Sequence, residues 1–357
     1  MRLADLFAQY GQELEHSFGQ RLLPSHRRMI RAVLSCRTAQ AGEMFVQCPD
    51  CGRFEWRAQS CGNRNCPACQ NHETSLWLNR QQNKLLPVPY FLVTFTVPAF
   101  LRQLAWSNQR VFYSCLFKAS TVALQKMGAD EKYLGGQMGL TGVLHTNNRQ
   151  LDFHPHIHYI VAAGAIDGKK RFWRRSKGKY LFPQRALTKI FRARLLAALR
   201  KHGLKVPEFL TDRDWVVHCR HVGSGAPALK YLSRYLYRGV IAEKRIIRNE
   251  NGLVTFLWRE GKTRKWCRKT LPGAKFLWLV VQHTLPCGFR RARDFGFLHG
   301  NSRKLLTLIQ LLLKAKPPMV DSPKRPGFKC PDCCAEMCIL GFRRPELSRA
   351  PPEKAKK

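Results

Sequence analysis

Phe153-His154-Pro155-His156-Ile157-His158-Tyr159-Ile160-Val161 decides how this chain is read. Apolar residues alternate with imidazoles, the period-two pattern of a β-strand. Alternate side chains of a strand share a face, so His156 and His158 point one way while Ile157 enters the opposite layer. Imidazoles two positions apart have Cβ atoms ~6 to 7 Å apart, close enough to converge on one divalent ion. His154 shares that face, but Pro155 constrains the strand start and sets His154 far along it. A single histidine on an apolar strand reads as a satisfied core residue; three in alternation read as ligands.

The neighbouring run Leu140 to Thr146 joins this strand through NNRQLD (147–152), which reads as a β-hairpin. A tight turn at Asn147-Asn148 sets Gln137 opposite His158 and makes Gln137 the candidate third ligand. A turn within Asn147 to Gln150 holds His145 over ~13 Å along the strand from His156, too far to share an ion.

Downstream of a Gly-Ser-Gly-Ala-Pro turn, Ala226 to Arg238 reads as a helix carrying Tyr231-Leu232-Ser233-Arg234-Tyr235-Leu236-Tyr237. Tyr231 and Tyr235 stand at i and i+4, so both hydroxyls lie on one helical face. A phenol with pKa ~10 attacks at neutral pH only beside a polarised phosphate or a cation such as Lys230 or Arg234. The same spacing also describes an aromatic stripe packing a helix on a sheet.

Upstream, Tyr90 to Val97 reads as a buried strand and Phe100 to Met127 as a helix. Gln184 to His202 reads as an Arg-rich helix and Trp215 to His221 as a short strand. This order predicts an α+β fold built on an antiparallel sheet.

From Cys48 to Cys69 there are too few aliphatics to fill a core, and Cys48-Pro-Asp-Cys51 and Cys66-Pro-Ala-Cys69 lie fourteen residues apart. Two CxxC turns at that spacing predict one tetrahedral four-cysteine zinc site. Four thiolates leave no open position, so the expected zinc is structural; Cys61 and His72 lie near enough to replace a ligand. Cys330, Cys333, Cys334 and Cys338 read as a second ion site, a half-site, a redox-labile tail or no site at all.

The 357 residues include 62 Lys and Arg against 23 Asp and Glu, a formal net charge of +39, with 45% hydrophobic residues. That balance excludes an ordinary metabolic enzyme and a disordered basic tail, and points to a folded surface that binds nucleic acid. Lys170 to Phe182 (KRFWRRSKGKYLF) reads either as a base-stacking segment or as an ordinary amphipathic strand. Asp5, Glu13 and Glu15 break any signal-peptide core, and the longest apolar run, Phe276 to Val281, has six residues. The expectation is a cytoplasmic, nucleoid-associated protein with reduced thiols and no membrane partner.

HPHIH followed some seventy residues later by YLSRY resembles the HUH endonuclease superfamily. SHRRMIRAVLSCRT, CGNRNCPACQ, GLTGVLHTNNRQLDFHPHIHYIV, HVGSGAPALKYLSRYLYRGVI and QHTLPCGFRRARDFGFLHGNSR, in that order, more closely resemble the rolling-circle transposases of the insertion-sequence-91 family. The resemblance implies a ferredoxin-like or palm-like HUH nuclease domain. It implies Mg²⁺ or Mn²⁺ on His156 and His158, Tyr231 and Tyr235 as nucleophiles, and zinc on Cys48, Cys51, Cys66 and Cys69. Tyr237 adds a third tyrosine, off the shared face. The expected organisation is a helical lead-in and zinc module over 1–85, the nuclease domain over 86–245, its C-terminal part over 246–314 and a basic tail over 315–357. The expected activity is nicking and rejoining of single-stranded DNA at transposon ends through a 5′-phosphotyrosine. Two rivals are a non-catalytic zinc-containing nucleic-acid-binding protein and a metal-dependent hydrolytic nuclease.

Overall fold

A computed structural model describes residues 1–168, 172–178, 180–211, 215–234, 236–237, 239–315, 323–325 and 327–344. Two helices, α1 (Leu3–Phe18) and α2 (Pro24–Ser35), lead into a hairpin of β1 (Glu43–Gln47) and β2 (Phe54–Ala58), and then α3 (Asn71–Gln82). Next come β3 (Tyr90–Thr96), α4 (Arg102–Ser107) and α5 (Gln109–Ala129), then β4 (Gly139–Asn147), β5 (Phe153–Ala162), β6 (Gly164–Ile166) and β7 (Trp173–Arg175). The chain continues through α6 (Gln184–Lys201), β8 (Val216–His221) and α7 (Ala226–Ser233). It closes with β9 (Ile246–Glu250), β10 (Leu253–Arg259), β11 (Trp266–Pro272), α8 (Gly273–Val281), β12 (Ala292–Gly296), α9 (Arg303–Leu312), β13 (Phe328–Lys329) and β14 (Glu336–Arg343).

The expected antiparallel sheet is present: five strands in the order β12-β4-β5-β3-β8, every neighbour antiparallel. Its two faces follow from strand alternation. Phe91, Val93 and Phe95 of β3 and Ile157, Tyr159 and Val161 of β5 enter one core, shared with Phe112, Leu116 and Ala123 of α5 and Phe191 and Leu195 of α6. Tyr159 ties the layers together, because its hydroxyl shares hydrogen bonds with Ser120 (2.8 Å) and Thr121 (2.9 Å) of α5. Ile160, Ala162 and Tyr90 enter the other core, against Leu229 and Leu232 of α7, Trp77 of α3 and Ile309 of α9. His156 and His158 belong to this second face.

The ends of the chain fold back on each other. Leu3, Leu6, Phe7, Tyr10 and Leu14 of α1 share one core with Val254 and Phe256 of β10 and Phe276, Leu277 and Trp278 of α8. The sequence assigns these to separate segments, 1–85 and 246–314, whereas their apolar faces bury each other. At the far end β14 pairs with β1, making a four-stranded sheet in the order β13-β14-β1-β2 from the two termini. Among the described residues no helix is long and apolar enough to cross a membrane.

Candidate active site

The β4–β5 hairpin sets the histidines. Its loop, residues 148–152, is longer than a two-residue turn, and the Asn148 side chain organises it. The Asn148 Oδ1 accepts from the Gln150 and Asp152 N–H groups at 2.8 and 2.9 Å. Leu151 takes a left-handed conformation (φ 69°). Its carbonyl accepts from Gln282 Nε2 at 3.0 Å and His283 Nε2 at 2.9 Å, both just past α8. With this loop, and an irregularity between His145 and Asn147, His145 lies opposite His156 and Val143 opposite His158.

Residues opposed across a sheet share a face, so three imidazoles gather where two were expected. Ring centroids are 5.3 Å apart for His145–His156, 4.6 Å for His145–His158 and 4.8 Å for His156–His158. One ring nitrogen of each lies within 4.8 Å of the others. Even at that widest spacing a central ion would be about 2.8 Å from each nitrogen, and small ring rotations close the gap to the ~2.1 Å of a metal–imidazole bond.

This corrects the reading of the third position. Gln137 sits before β4 and bridges Ile166, its N–H donating to the Ile166 carbonyl at 2.9 Å. It lies six positions from Val143, the residue opposite His158, which is ~20 Å along a strand. His145, which a tight turn would remove, instead lies with His156 and His158.

The outward nitrogens are anchored. His156 Nδ1 donates to the His154 carbonyl at 2.7 Å, and His158 Nδ1 bonds the Thr94 hydroxyl at 2.8 Å, so Nε2 of each is the nitrogen that could hold an ion. His154 stays out of the cluster and accepts from Arg102 at 3.0 Å. Burial lowers the basicity of the whole group: His156 is pushed down to about 4, His158 to about 3, and His145 well below its usual value. Imidazoles neutral at pH 7 are in the form that ligates a cation. Arg21, Arg102, Asp152 and Gln282 line an open cleft beside His154.

Tyr231 faces this cluster from α7, its ring centroid 6.5 Å from that of His158 at an interplanar angle of 84°. Leu229 and Leu232 seat the helix on the sheet, while Tyr231 remains 43% exposed. Gly225 sets the helix start: its φ is +78°, and a Cβ there would come within 2.7 Å of the Tyr90 ring. The helix ends at Ser233, short of the expected Arg238, so the i, i+4 argument for a shared face with Tyr235 is not carried over. Tyr235 and Arg238 lie outside the described residues, as do Lys170 and Arg171 of the basic aromatic segment. Tyr237 packs partly buried against the α7 core.

The four cysteines expected at one ion are divided between two clusters. Cys66 and Cys69 gather with Cys61 and Cys36, while Cys48 and Cys51 gather with Cys330 and Cys333. The division follows from topology: Cys48 and Cys51 occupy the tip of the β1–β2 hairpin, whereas Cys36, Cys61, Cys66 and Cys69 flank its base. Cys61 and Cys69 Sγ atoms are 3.8 Å apart. Hydrogen bonds from Cys61 and Cys66 pull the Cys69 thiol down to about 4, and bonds with Cys66 and Cys69 push Cys61 up. His72 does not join. Beside this cluster, Asn65 presses on Gly239, whose N–H donates to the Arg64 carbonyl at 3.3 Å. The cysteine module thereby grips the chain just beyond α7.

The fold thus brings together an antiparallel sheet carrying three imidazoles, a helical tyrosine facing them and two four-cysteine clusters, residue groups that could each hold a metal ion. Residues 139–305 match the family model described as a putative transposase, and residues 6–97 match that of a transposase zinc-binding domain. A putative transposase, y4qJ, of Sinorhizobium fredii is 32% identical over 326 residues, covering 85% of this chain and 81% of the relative. The transposase for insertion sequence element IS801 of Pseudomonas savastanoi pv. phaseolicola is 28% identical over 296 residues, 75% of this chain and 69% of the relative. No solved structure matches the chain. The chain belongs to the insertion-sequence-91 family of transposases.

Proposed function

We propose that this protein nicks and rejoins single-stranded DNA at transposon ends, as a rolling-circle transposase of the HUH type, with Tyr231 as a nucleophile. The observation that carries the reading is the approach of Tyr231 to His158 within a cluster of three neutral imidazoles, His145 buried and His156 and His158 half-buried. His145, His156 and His158 would hold a divalent ion, Mg²⁺ or Mn²⁺, which would supply Lewis-acid polarisation of the scissile phosphate.

The protein's own groups do the rest. The Tyr231 oxygen attacks phosphorus in line and loses its proton as the bond to the 3′-oxygen breaks, giving a 5′-phosphotyrosine and a free 3′-OH. Lys230 and Arg234 are exposed on the same short helix segment, where they can meet the DNA backbone. The linkage keeps the energy of the broken bond, so attack by another 3′-OH reforms a phosphodiester and releases Tyr231 without a nucleotide cofactor. Tyr235 is the proposed second nucleophile. Arg102, which bonds His154, Arg21 of the neighbouring cleft and the Arg-rich α6 provide phosphate contacts. Zinc on Cys36, Cys61, Cys66 and Cys69 holds the module that grips Gly239.

The test is incubation of a labelled single-stranded end sequence with Mg²⁺ or Mn²⁺, followed by denaturing electrophoresis. The expected result is a denaturant-resistant protein–DNA adduct that chelation prevents. Cutting without an adduct would place the protein among hydrolytic nucleases, and binding without cutting among non-catalytic DNA-binding proteins.

A further inference from the structure

The sequence Cys-Pro-Asp-Cys occurs twice, at 48–51 and 330–333, and both copies fold alike. In each, the first cysteine's N–H donates to the carbonyl five residues on, Cys48 to Arg53 at 2.7 Å and Cys330 to Ala335 at 2.8 Å. The residue four on donates back to the first cysteine's carbonyl, Gly52 to Cys48 at 3.1 Å and Cys334 to Cys330 at 2.9 Å. That residue is left-handed in both copies, φ 76° for Gly52 and φ 63° for Cys334. A non-glycine residue keeps such a conformation only where its surroundings demand it. Turns of this kind aim two thiolates at one point.

The β1–β14 pairing, with Gln47 opposite Cys338, brings the two turns to the same end of the terminal sheet. Sγ separations there are 3.4 Å for Cys48–Cys333, 3.5 Å for Cys51–Cys330 and 3.7 Å for Cys51–Cys333. A tetrahedron with Zn–S bonds of ~2.3 Å has edges of ~3.8 Å. All four cysteines are free thiols. Besides the β1–β14 ladder, the two ends share a small buried apolar cluster, Val46, Cys48, Cys330 and Met337, the exposed Arg53–Asp332 ion pair and the Glu43–Arg343 pair.

We propose that Cys48, Cys51, Cys330 and Cys333 bind a second structural zinc ion, closing the amino- and carboxyl-terminal segments into one zinc ribbon. The matched zinc-binding domain ends at residue 97 and the matched transposase region at 305, so neither includes Cys330 and Cys333. The ion displaces thiol protons and changes no oxidation state, as suits a redox-inert staple.

The test counts thiolate-bound zinc in the full-length protein by adding a mercurial thiol reagent and reading released Zn²⁺ with a chromogenic chelator. The expected result is two equivalents per chain for the wild type and for Cys334→Ser/Cys338→Ser, and one for Cys330→Ser/Cys333→Ser. The retained equivalent, at Cys36, Cys61, Cys66 and Cys69, reports that the amino-terminal module still folds. Cys333→His keeps a ligand at that position and returns the count to two, with a Co²⁺-substituted spectrum shifted toward three sulfurs and one nitrogen. One equivalent in the wild type, or two in Cys330→Ser/Cys333→Ser, would overturn the site. So would loss of both ions in the double serine variant without rescue by Cys333→His.

Discussion

The third imidazole separates the roles of neighbouring residues. His145→Ala, His156→Ala and His158→Ala are each expected to lower single-strand cleavage by at least about 100-fold while changing DNA affinity less than about threefold, since the arginines that hold the other phosphates are untouched. Gln137→Ala should leave cleavage within about twofold, which a side-by-side rate measurement checks. The His156 and His158 pair, and the placing of Ile157 in the opposite core, follow from strand alternation alone. His145 was hidden because its position depends on hairpin register, which the loop decides. A visible clue was the Gln282-His283 pair, whose side chains hold that loop but lie over 130 residues away in sequence. His283 also gives a pH prediction. Burial lowers it to about 4, against ~6.5 unfolded, so the unfolded chain takes up this proton first as pH falls. Its stabilisation is complete above pH 6.5, declines as pH falls toward 4 and is about 2 kcal/mol smaller at pH 5. Urea denaturation of wild type and His283→Gln at pH 7 and pH 5 should show a smaller loss in the variant.

At the scale of elements, α7 is short, and its start is fixed by Gly225 against Tyr90. Gly225→Val places a Cβ into the Tyr90 ring and a β-branched residue at positive φ. It should cost about 2 to 4 kcal/mol and displace Tyr231, read as a lowered melting temperature together with a weaker adduct. The helix was legible from its turn and its apolar positions, but its end was not. Gly239, at φ 65° and against Asn65, belongs to a contact with the cysteine module that no local pattern announces. Spacing likewise grouped Cys48, Cys51, Cys66 and Cys69 at one point, whereas the fold divides them between two clusters. Spacing along the chain could not show that β14 returns to β1 and carries Cys330 and Cys333 to Cys48 and Cys51. Removing zinc from the Cys36, Cys61, Cys66 and Cys69 cluster should therefore slow cleavage by loosening the grip on Gly239, and Cys66→Ser checks this by cleavage rate at unchanged histidine ligands.

At the scale of the molecule, segments distant in sequence complete each other. The central sheet needs β12, and its core needs Leu285 and Phe289, so a fragment of residues 86–245 leaves β4 as an open edge and that core incomplete. It should lack a cooperative thermal transition and sharp near-ultraviolet circular dichroism, while the full chain shows both. A charge of +39 spread over such a surface also predicts DNA affinity that falls steeply and linearly in log–log form with salt. The basic balance and the antiparallel α+β class were readable from composition and element order. The shared core of α1, β10 and α8 was not, because apolar stripes state only that something covers them.

Tyr231, facing the three histidines, is proposed to bond covalently to DNA. Mass-spectrometric mapping of the protein–DNA adduct tests it most directly. A nucleotide remnant on the peptide containing Tyr231, absent after Tyr231→Phe or with the linkage then confined to Tyr235, is the predicted result. An adduct on a peptide elsewhere in the chain, or one that persists in Tyr231→Phe/Tyr235→Phe, would contradict it.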